Sequence, residues 1–135
     1  MTLTADQKKQ IICVRIENAE QAIRDAEILL YEGSLRGAVN RIYYSVFHAV
    51  SALALSRDVS FKKHSSLLTY FHKEFIKNGV LNRVHGRTVQ KAADDRTDAD
   101  YSDFVNFTAD QITLRLKECR DFIVATKALL DIPKH

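Results

Sequence analysis

The apolar residues of this chain recur every three or four positions over long stretches and never alternate one by one. Near both ends they follow the spacing 4, 3, 4, 3, 4, which places them on one stripe of an α-helix. The first stripe comprises Ile12, Ile16, Ala19, Ile23, Ala26 and Leu30. The second comprises Ile112, Leu116, Cys119, Ile123, Thr126 and Leu130.

This patterning predicts five helices, with capping boxes of threonine and glutamine at Thr4 and Thr108. Gly33 suits the end of the first helix. The second helix is apolar on almost every side, as is typical of a central helix, so the first and fifth helices should lie against it. The predicted helices span approximately residues 5–31, 35–56, 62–77, 80–95 and 109–131. The acid-rich segment 94–103 is interpreted as the end of the fourth helix plus a connector.

The composition narrows the fold class. With one proline and four glycines in 135 residues, the chain favours long helices over many short strands. We therefore expect an all-α fold, an antiparallel up-and-down bundle of four to five helices, as a single domain over residues 1–135. No stretch reaches the ~20 apolar residues that span a bilayer, and the N-terminus carries no apolar signal segment. A cytoplasmic location without membrane contact is expected.

Metal and cofactor chemistry find little support in the sequence. There is no His-x-x-x-His pair and no glycine-rich phosphate loop, so neither a metal nor a cofactor is expected. The aspartates between Asp94 and Asp103 could bind magnesium through oxygen. Alternatively they end the fourth helix and accept Arg96. Cys13 and Cys119 are expected to be small buried residues.

One stripe of the apolar second helix is polar. It comprises Arg41, Tyr44, His48, Ser51 and Leu55. Arg41 and His48 lie about 10 Å apart along the helix axis, and a phosphate could bridge them. Histidine suits proton transfer near neutral pH and arginine stabilises a phosphoryl transition state, so the pair could cleave RNA through its 2′-hydroxyl without metal. The alternative is structural: Arg41 pairs with an acid such as Asp98 or Asp100, and His48 belongs to the core.

Three segments resemble the HEPN (higher eukaryotes and prokaryotes nucleotide-binding) domain family, in its small stand-alone prokaryotic branch. They are AVNRIYYSVFHAVSALAL (38–55), KKHSSLLTYFHKEFIKNGVL (62–81) and RTDADYSDF (96–104). The resemblance implies an antiparallel helical bundle, commonly a homodimer, with a link to nucleotides or RNA. Many members are metal-independent endoribonucleases with an Arg, four to six residues, then His. Many are toxins paired with a small nucleotidyltransferase antitoxin of the MNT kind.

Two residue pairs match this catalytic spacing. Arg41 and His48 enclose six residues within one predicted helix, and they are the expected catalytic pair. Arg57 and His64 also enclose six residues, but across a predicted loop.

The substrate is expected to meet side chains around the catalytic pair. Asn40 and Tyr44 would position RNA, and Lys62, Lys63 and His64 would bind it. These last three lie in the basic segment 57–91, which has eight Lys or Arg and two acids, whereas the whole chain has a net charge of +3. A basic segment of this kind suits a polyanion, or it is simply a solvated helix face.

A second hypothesis from the resemblance involves no catalysis. The bundle would dimerise and dock onto a small nucleotidyltransferase, which could adenylylate one of its tyrosines. Tyr43, Tyr44 and Tyr101 are the candidates. The sequence leaves both hypotheses open.

Overall fold

The computed structural model describes residues 2–133, and in that range it contains five α-helices and no strand. The all-α prediction is confirmed. The third helix continues without a break into a π-helical segment, His72–Lys77. The helices are α1 (Ala5–Tyr31), α2 (Leu35–Ser56), α3 (His64–Phe71), α4 (Arg83–Tyr101) and α5 (Ala109–Leu129).

The predicted helix ends are confirmed at three places. Thr4 and Gln7 form a reciprocal capping box at the start of α1, and Thr108 and Gln111 form one at the start of α5. Each box satisfies two backbone N–H groups that the first turn leaves unpaired. Gly33 follows α1 with a φ of +80°, a conformation that side chains with a Cβ rarely adopt.

Helix α2 lies at the centre of the bundle and contacts α1, α3, α4 and α5. Twelve of its 22 residues are buried, so a single apolar core surrounds it. The predicted stripes of α1 and α5 face this core, except that Leu30 and Leu130 at their ends are half-buried. The hydrophobic effect of these stripes therefore sets the packing order, with α2 inside.

The fourth helix differs from its prediction at both ends. It begins at Arg83, later than residue 80, because the Asn82 side chain caps it by accepting the Val84 N–H at 2.9 Å. It continues to Tyr101 instead of ending near residue 95. Three of the acids that suggested a connector have partners on the helix surface. Arg96, for example, lies 3.2 Å from Asp100 one turn away. Pairs at this spacing support a helix.

The connector between α4 and α5 is braced by a single side chain. The Arg36 guanidinium donates hydrogen bonds to the carbonyl oxygens of Ala99, Ser102 and Val105. The end of α4 and the connector nevertheless present two large rings to solvent, because Tyr101 is 85% exposed and Phe104 is 93% exposed.

The two cysteines differ in burial. Cys119 is buried as predicted, and burial raises the pKa of its thiol to about 12, so no reactive thiolate forms at neutral pH. Cys13 is only half-buried, because it faces a groove at the end of the bundle rather than the core.

Among the helices of residues 2–133, none has the length and apolar content to cross a membrane.

Candidate functional site

The polar stripe of α2 is half-buried at one side of the bundle. The Arg41 guanidinium lies 4.8 Å from the centroid of the Tyr44 ring. On the same helix the Tyr44 and His48 ring centroids are 6.4 Å apart. Tyr44 thus lies between the two predicted catalytic side chains, and a guanidinium over an aromatic face is a favourable arrangement.

Arg41 is free of carboxylates in the part of the chain that the structure describes. It donates one hydrogen bond, from Nη2 to the Asn40 side-chain oxygen at 2.8 Å. Of the acids considered as its partners, Asp100 pairs with Arg96 instead. The structural alternative for Arg41, an ion pair with an acid, therefore does not occur within residues 2–133.

A second arginine, Arg15 of α1, approaches the same stripe. Its Nη1 donates to the Ser51 carbonyl oxygen at 3.0 Å, and burial lowers its pKa. Arg15 therefore brings a second positive charge to the histidine end of the stripe.

The environment of His48 lowers the pKa of its imidazole. Burial is the largest cause, followed by the positive charges of Arg41 and Arg15. Among the described residues neither ring nitrogen of His48 takes part in a hydrogen bond. His48 is therefore a neutral imidazole at neutral pH, next to two arginines, with its nitrogens uncommitted. This is the protonation state that a general base needs.

His64 lies at the other side of Tyr44 in a different environment. Its Nδ1 is 2.9 Å from the Tyr43 hydroxyl, and its ring centroid is 3.9 Å from that of Phe47. Burial, and then the charge of Arg96, lowers its pKa. The fold thus brings the predicted substrate-binding residue His64 to the site, but one of its nitrogens is already engaged.

Arg96 of α4 completes this side of the cluster. Its guanidinium lies 4.8 Å from the Tyr43 ring centroid and 5.9 Å from that of Tyr44. Its Nε is 3.2 Å from Asp100 but is not aligned for a hydrogen bond. Tyr43 is 3% exposed, and burial raises its pKa above the usual value despite the nearby guanidinium.

The other two predicted site residues, Lys62 and Lys63, do not pack within the half-buried face. Lys62 and Lys63 are exposed in the turn that leads into α3, directly before His64. The fold brings Asn40, Arg41, Tyr44, His48 and His64 around one half-buried face, and Lys62 and Lys63 lie at its edge.

Arg57, the arginine of the second spacing match, is not part of this cluster. Its guanidinium lies 4.2 Å from the centroid of the Phe75 ring, and it lines a groove with the first turn of α1 and the end of α5. His64 contacts Tyr43 and Phe47 instead. Arg57 and His64 therefore do not form a site.

Sequence reasoning missed Arg15, Arg96 and Phe47. Arg15 left a detectable signal, because it lies three residues after Ile12 and four before Ala19, within the apolar stripe of α1. An arginine in such a position must find a partner between helices. Phe47 lies on α2 three residues after Tyr44, so the helical period already places it beside the stripe, but its contact with His64 depends on how α3 packs against α2. The contacts of Arg96 depend on how α4 packs against α2, which no local pattern reveals.

No group of three or more His, Cys, Asp or Glu side chains is arranged to bind a metal within residues 2–133. The aspartates of 94–103 are instead dispersed: Asp95 accepts from Arg115 at 2.8 Å and Asp94 accepts from Gln90 at 2.9 Å. Asp100 lies beside Arg96, as the structural interpretation proposed, but the other half of that interpretation is wrong, because the aspartates do not end α4 before Tyr101.

The sequence matches the family model described as the HEPN domain over residues 14–134. This match covers most of the chain, and the chain belongs to the HEPN domain family.

Similar proteins occur in bacteria and archaea. A UPF0332 protein of Thermotoga maritima is 34% identical over 126 residues, covering 93% of this chain and 96% of the relative. A protein of Methanocaldococcus jannaschii named as a candidate toxin is 35% identical over 115 residues, covering 85% of this chain and 78% of the relative. A second protein of that organism with the same kind of name is 36% identical over 87 residues, covering 64% and 65%.

Proposed function

We propose that this chain is the toxin of a two-gene system linked to a small nucleotidyltransferase, and that it cleaves RNA without metal at Arg41 and His48. The observation that carries the proposal is the pairing of a neutral, uncommitted His48 with two arginines that lack carboxylate partners within residues 2–133. Uncompensated positive charge on a half-buried face favours a bound phosphate. The family and the names of two relatives support the toxin role.

The proposed reaction uses the substrate's own 2′-hydroxyl as the nucleophile. His48 accepts the 2′-hydroxyl proton while the 2′-oxygen attacks the adjacent phosphorus. Arg41 and Arg15 stabilise the extra negative charge on the phosphoryl oxygens. The 5′-oxygen then leaves and takes a proton from the imidazolium of His48 or from water. The products are a 2′,3′-cyclic phosphate and a 5′-hydroxyl.

The neighbouring side chains are proposed to position the RNA. Asn40 orients the Arg41 guanidinium through the 2.8 Å hydrogen bond, and the Tyr44 ring holds the guanidinium by a cation–π contact. The Nε2 of His64 remains available to the substrate, since Tyr43 occupies only Nδ1. Lys62 and Lys63 provide exposed positive charge at the edge of the face.

Cleavage in EDTA tests this function. Purified protein is incubated with end-labelled single-stranded and structured RNAs, and the ends of the products are analysed. The expected result is a cyclic phosphate on one product and a free 5′-hydroxyl on the other. Intact RNA after prolonged incubation, or products with 5′-phosphates, would contradict the proposal.

We also infer that the chain forms a homodimer through this half-buried face. Tyr44 and Phe47 are only partly covered in one protomer, and a second copy would bring two pairs of Arg41 and His48 together. Light scattering at tens of micromolar should give the mass of two chains, whereas the mass of one chain would overturn the inference.

The second candidate function is that of a non-enzymatic partner of the nucleotidyltransferase. The exposure of Tyr101 favours it. Tyr101, the last residue of α4, is 85% exposed beside the connector that Arg36 braces, whereas Tyr43 is buried and Tyr44 is half-buried. Transfer of AMP from ATP to the Tyr101 phenol oxygen would release pyrophosphate.

This candidate is tested by mass spectrometry after incubation with ATP and any small nucleotidyltransferase that is encoded beside the gene. The expected adduct lies on Tyr101 and is lost in Tyr101→Phe but retained in Tyr44→Phe. An unmodified chain would exclude this role for Tyr101.

A further inference from the structure

A groove of about 530 Å³ lies outside the candidate site, between the π-helical segment and the first half of α4. It is lined by Lys77 from the π-helical segment and by Arg83 and Arg87 from α4. His72 and Gln90 lie at its sides. Burial lowers the pKa of His72, so the positive charge of the groove at neutral pH comes from the other three side chains.

In the part of the chain that the structure describes, these three cations have no acidic partner. None of Lys77, Arg83 and Arg87 forms an ion pair within residues 2–133. The cations of α5 behave differently. Arg115 pairs with Asp95, and Arg120 pairs with Glu27. Three of the eight cations of the basic segment 57–91 therefore line one concave surface without an ion pair among the described residues.

The groove depends on a close approach of two helices. A Cβ atom at Gly86 would lie 3.0 Å from Ile76, closer than a comfortable contact. Glycine at this position lets α4 pack directly against the π-helical segment. Lys77 and the two arginines consequently line the same groove.

We propose that this groove binds backbone phosphates of single-stranded RNA, as a subsite remote from the cleavage position. A basic groove that follows the backbone is the usual means of binding a single strand without reading its bases. Arg87 and Arg96 are nine residues apart on α4, which is about 14 Å along its axis and about half a turn around it. Because Arg96 contacts Tyr43 and Tyr44 of the candidate site, an RNA strand that joins the groove to this site must pass around α4. The subsite rests on the proposed function and extends its substrate to several nucleotides.

The salt dependence of RNA binding tests this subsite. The parent protein carries His48→Ala, which prevents cleavage, and binding of a labelled 12-nucleotide single strand is followed by fluorescence anisotropy from 50 to 200 mM salt in EDTA. A variant with Lys77→Gln, Arg83→Gln and Arg87→Gln removes three phosphate contacts. The slope of log K against log salt should become shallower by about 2, from ~0.7 for each contact with a single strand.

A charge-matched control separates this effect from net charge. Lys9→Gln, Arg24→Gln and Lys117→Gln remove the same three charges from exposed positions on α1 and α5. The control should change the slope by less than half as much. Circular dichroism should show the same helix content for both triple variants, because all six positions are exposed.

The outcomes distinguish the subsite from the proposed function. A parent that does not bind RNA, an unchanged slope in the groove variant, or equal slopes in the two variants would overturn the subsite. A shallower slope in the groove variant supports it even where the wild-type protein fails to cleave, and that failure counts against the proposed function alone. The wild-type background adds one more check: the groove substitutions should raise KM for the 12-mer and leave cleavage of a dinucleotide unchanged.

Discussion

Two regions of this chain match the same spacing of an arginine, six residues and a histidine, and the fold treats them in opposite ways. Arg41 and His48 occupy one uninterrupted helix and lie on either side of the Tyr44 ring. Arg57 and His64 are separated by the turn between α2 and α3, and their side chains lie against different aromatic rings, Phe75 and Phe47. A spacing rule therefore carries geometric information only where the intervening residues are helical.

The two histidines extend this comparison. Both have a lowered pKa, and burial is the main cause in each case. His64, however, contacts the Tyr43 hydroxyl and packs on Phe47, whereas the other influences on His48 are the charges of Arg41 and Arg15. A lowered pKa alone does not separate a structural histidine from a reactive one. The two histidines differ instead in their contacts, since of the two only His64 has a hydrogen-bond partner among the described residues.

The largest expected difference is between the two arginines. Arg41→Ala should reduce metal-independent RNA cleavage by about 10²–10³, the usual loss when one group that stabilises transition-state charge is removed. Arg57→Ala should leave cleavage unchanged, because its guanidinium lies over Phe75 away from the site. Initial rates on the same RNA, with circular dichroism to verify folding, provide the measurement. Equal losses in the two variants would remove the distinction.

The contact between His64 and the Tyr43 hydroxyl should stabilise the folded chain. Tyr43→Phe removes the hydroxyl that lies 2.9 Å from His64 Nδ1 and should lower the free energy of unfolding by about 1 kcal/mol. The melting temperature should fall by several degrees. Cleavage should change little, since Tyr43 is buried. An unchanged melting temperature, measured by thermal circular dichroism, would contradict this role.

Acid should destabilise the protein through its half-buried histidines. His48, His64, His72 and His85 all have a lowered pKa in the folded chain. Below the ordinary histidine pKa of about 6.5 the unfolded chain binds more protons, so stability is complete above that pH and is lost as the pH falls toward the folded values. Denaturant unfolding between pH 7.5 and about 5 measures this loss. His64→Gln should make the loss of stability with falling pH less steep. A loss as steep as that of the wild type would show that His64 does not contribute.

The smallest expected effect concerns the pH profile of cleavage. His48 must be neutral to accept a proton, and its lowered pKa keeps it neutral down to a pH below about 6.5. Arg15→Gln removes one of the charges that lower this pKa, so the acidic limb should move to higher pH. Lys9→Gln, on the same helix, is the control. A limb that stays in place or moves to lower pH would show that Arg15 does not act on His48.

Much of the fold follows from local sequence signals. The stripes of α1 and α5, the capping boxes at Thr4 and Thr108, and the apolar circumference of α2 are all readable without a structure. The extension of α4 to Tyr101 was missed because the same aspartates that break a helix in isolation can be satisfied along its surface, as Asp100 is by Arg96. The π-helical segment after Phe71 has no signal that we can identify in the sequence.

The candidate site was predictable only in part. Arg41, Tyr44 and His48 share one helix, so their alignment follows from the helical period alone. Arg15 and Arg96 reach the site from α1 and α4, and their positions depend on the register between helices. That register is set by packing across the core, which single-helix patterns do not encode.

The most direct test of the account compares His48→Ala and His64→Ala in EDTA, with the rate at saturating RNA and the melting temperature measured on the same preparations. His48→Ala should lose about 10²–10⁴ in rate, as expected for a general acid–base group, and should melt within a few degrees of the wild type. His64→Ala should raise KM and melt several degrees lower, because it leaves the Tyr43 hydroxyl unpaired in the core, while its saturated rate falls less than tenfold. The reverse pattern, an unstable His48→Ala with a normal rate and an inactive His64→Ala, would contradict the assignment of His48 as the reactive residue.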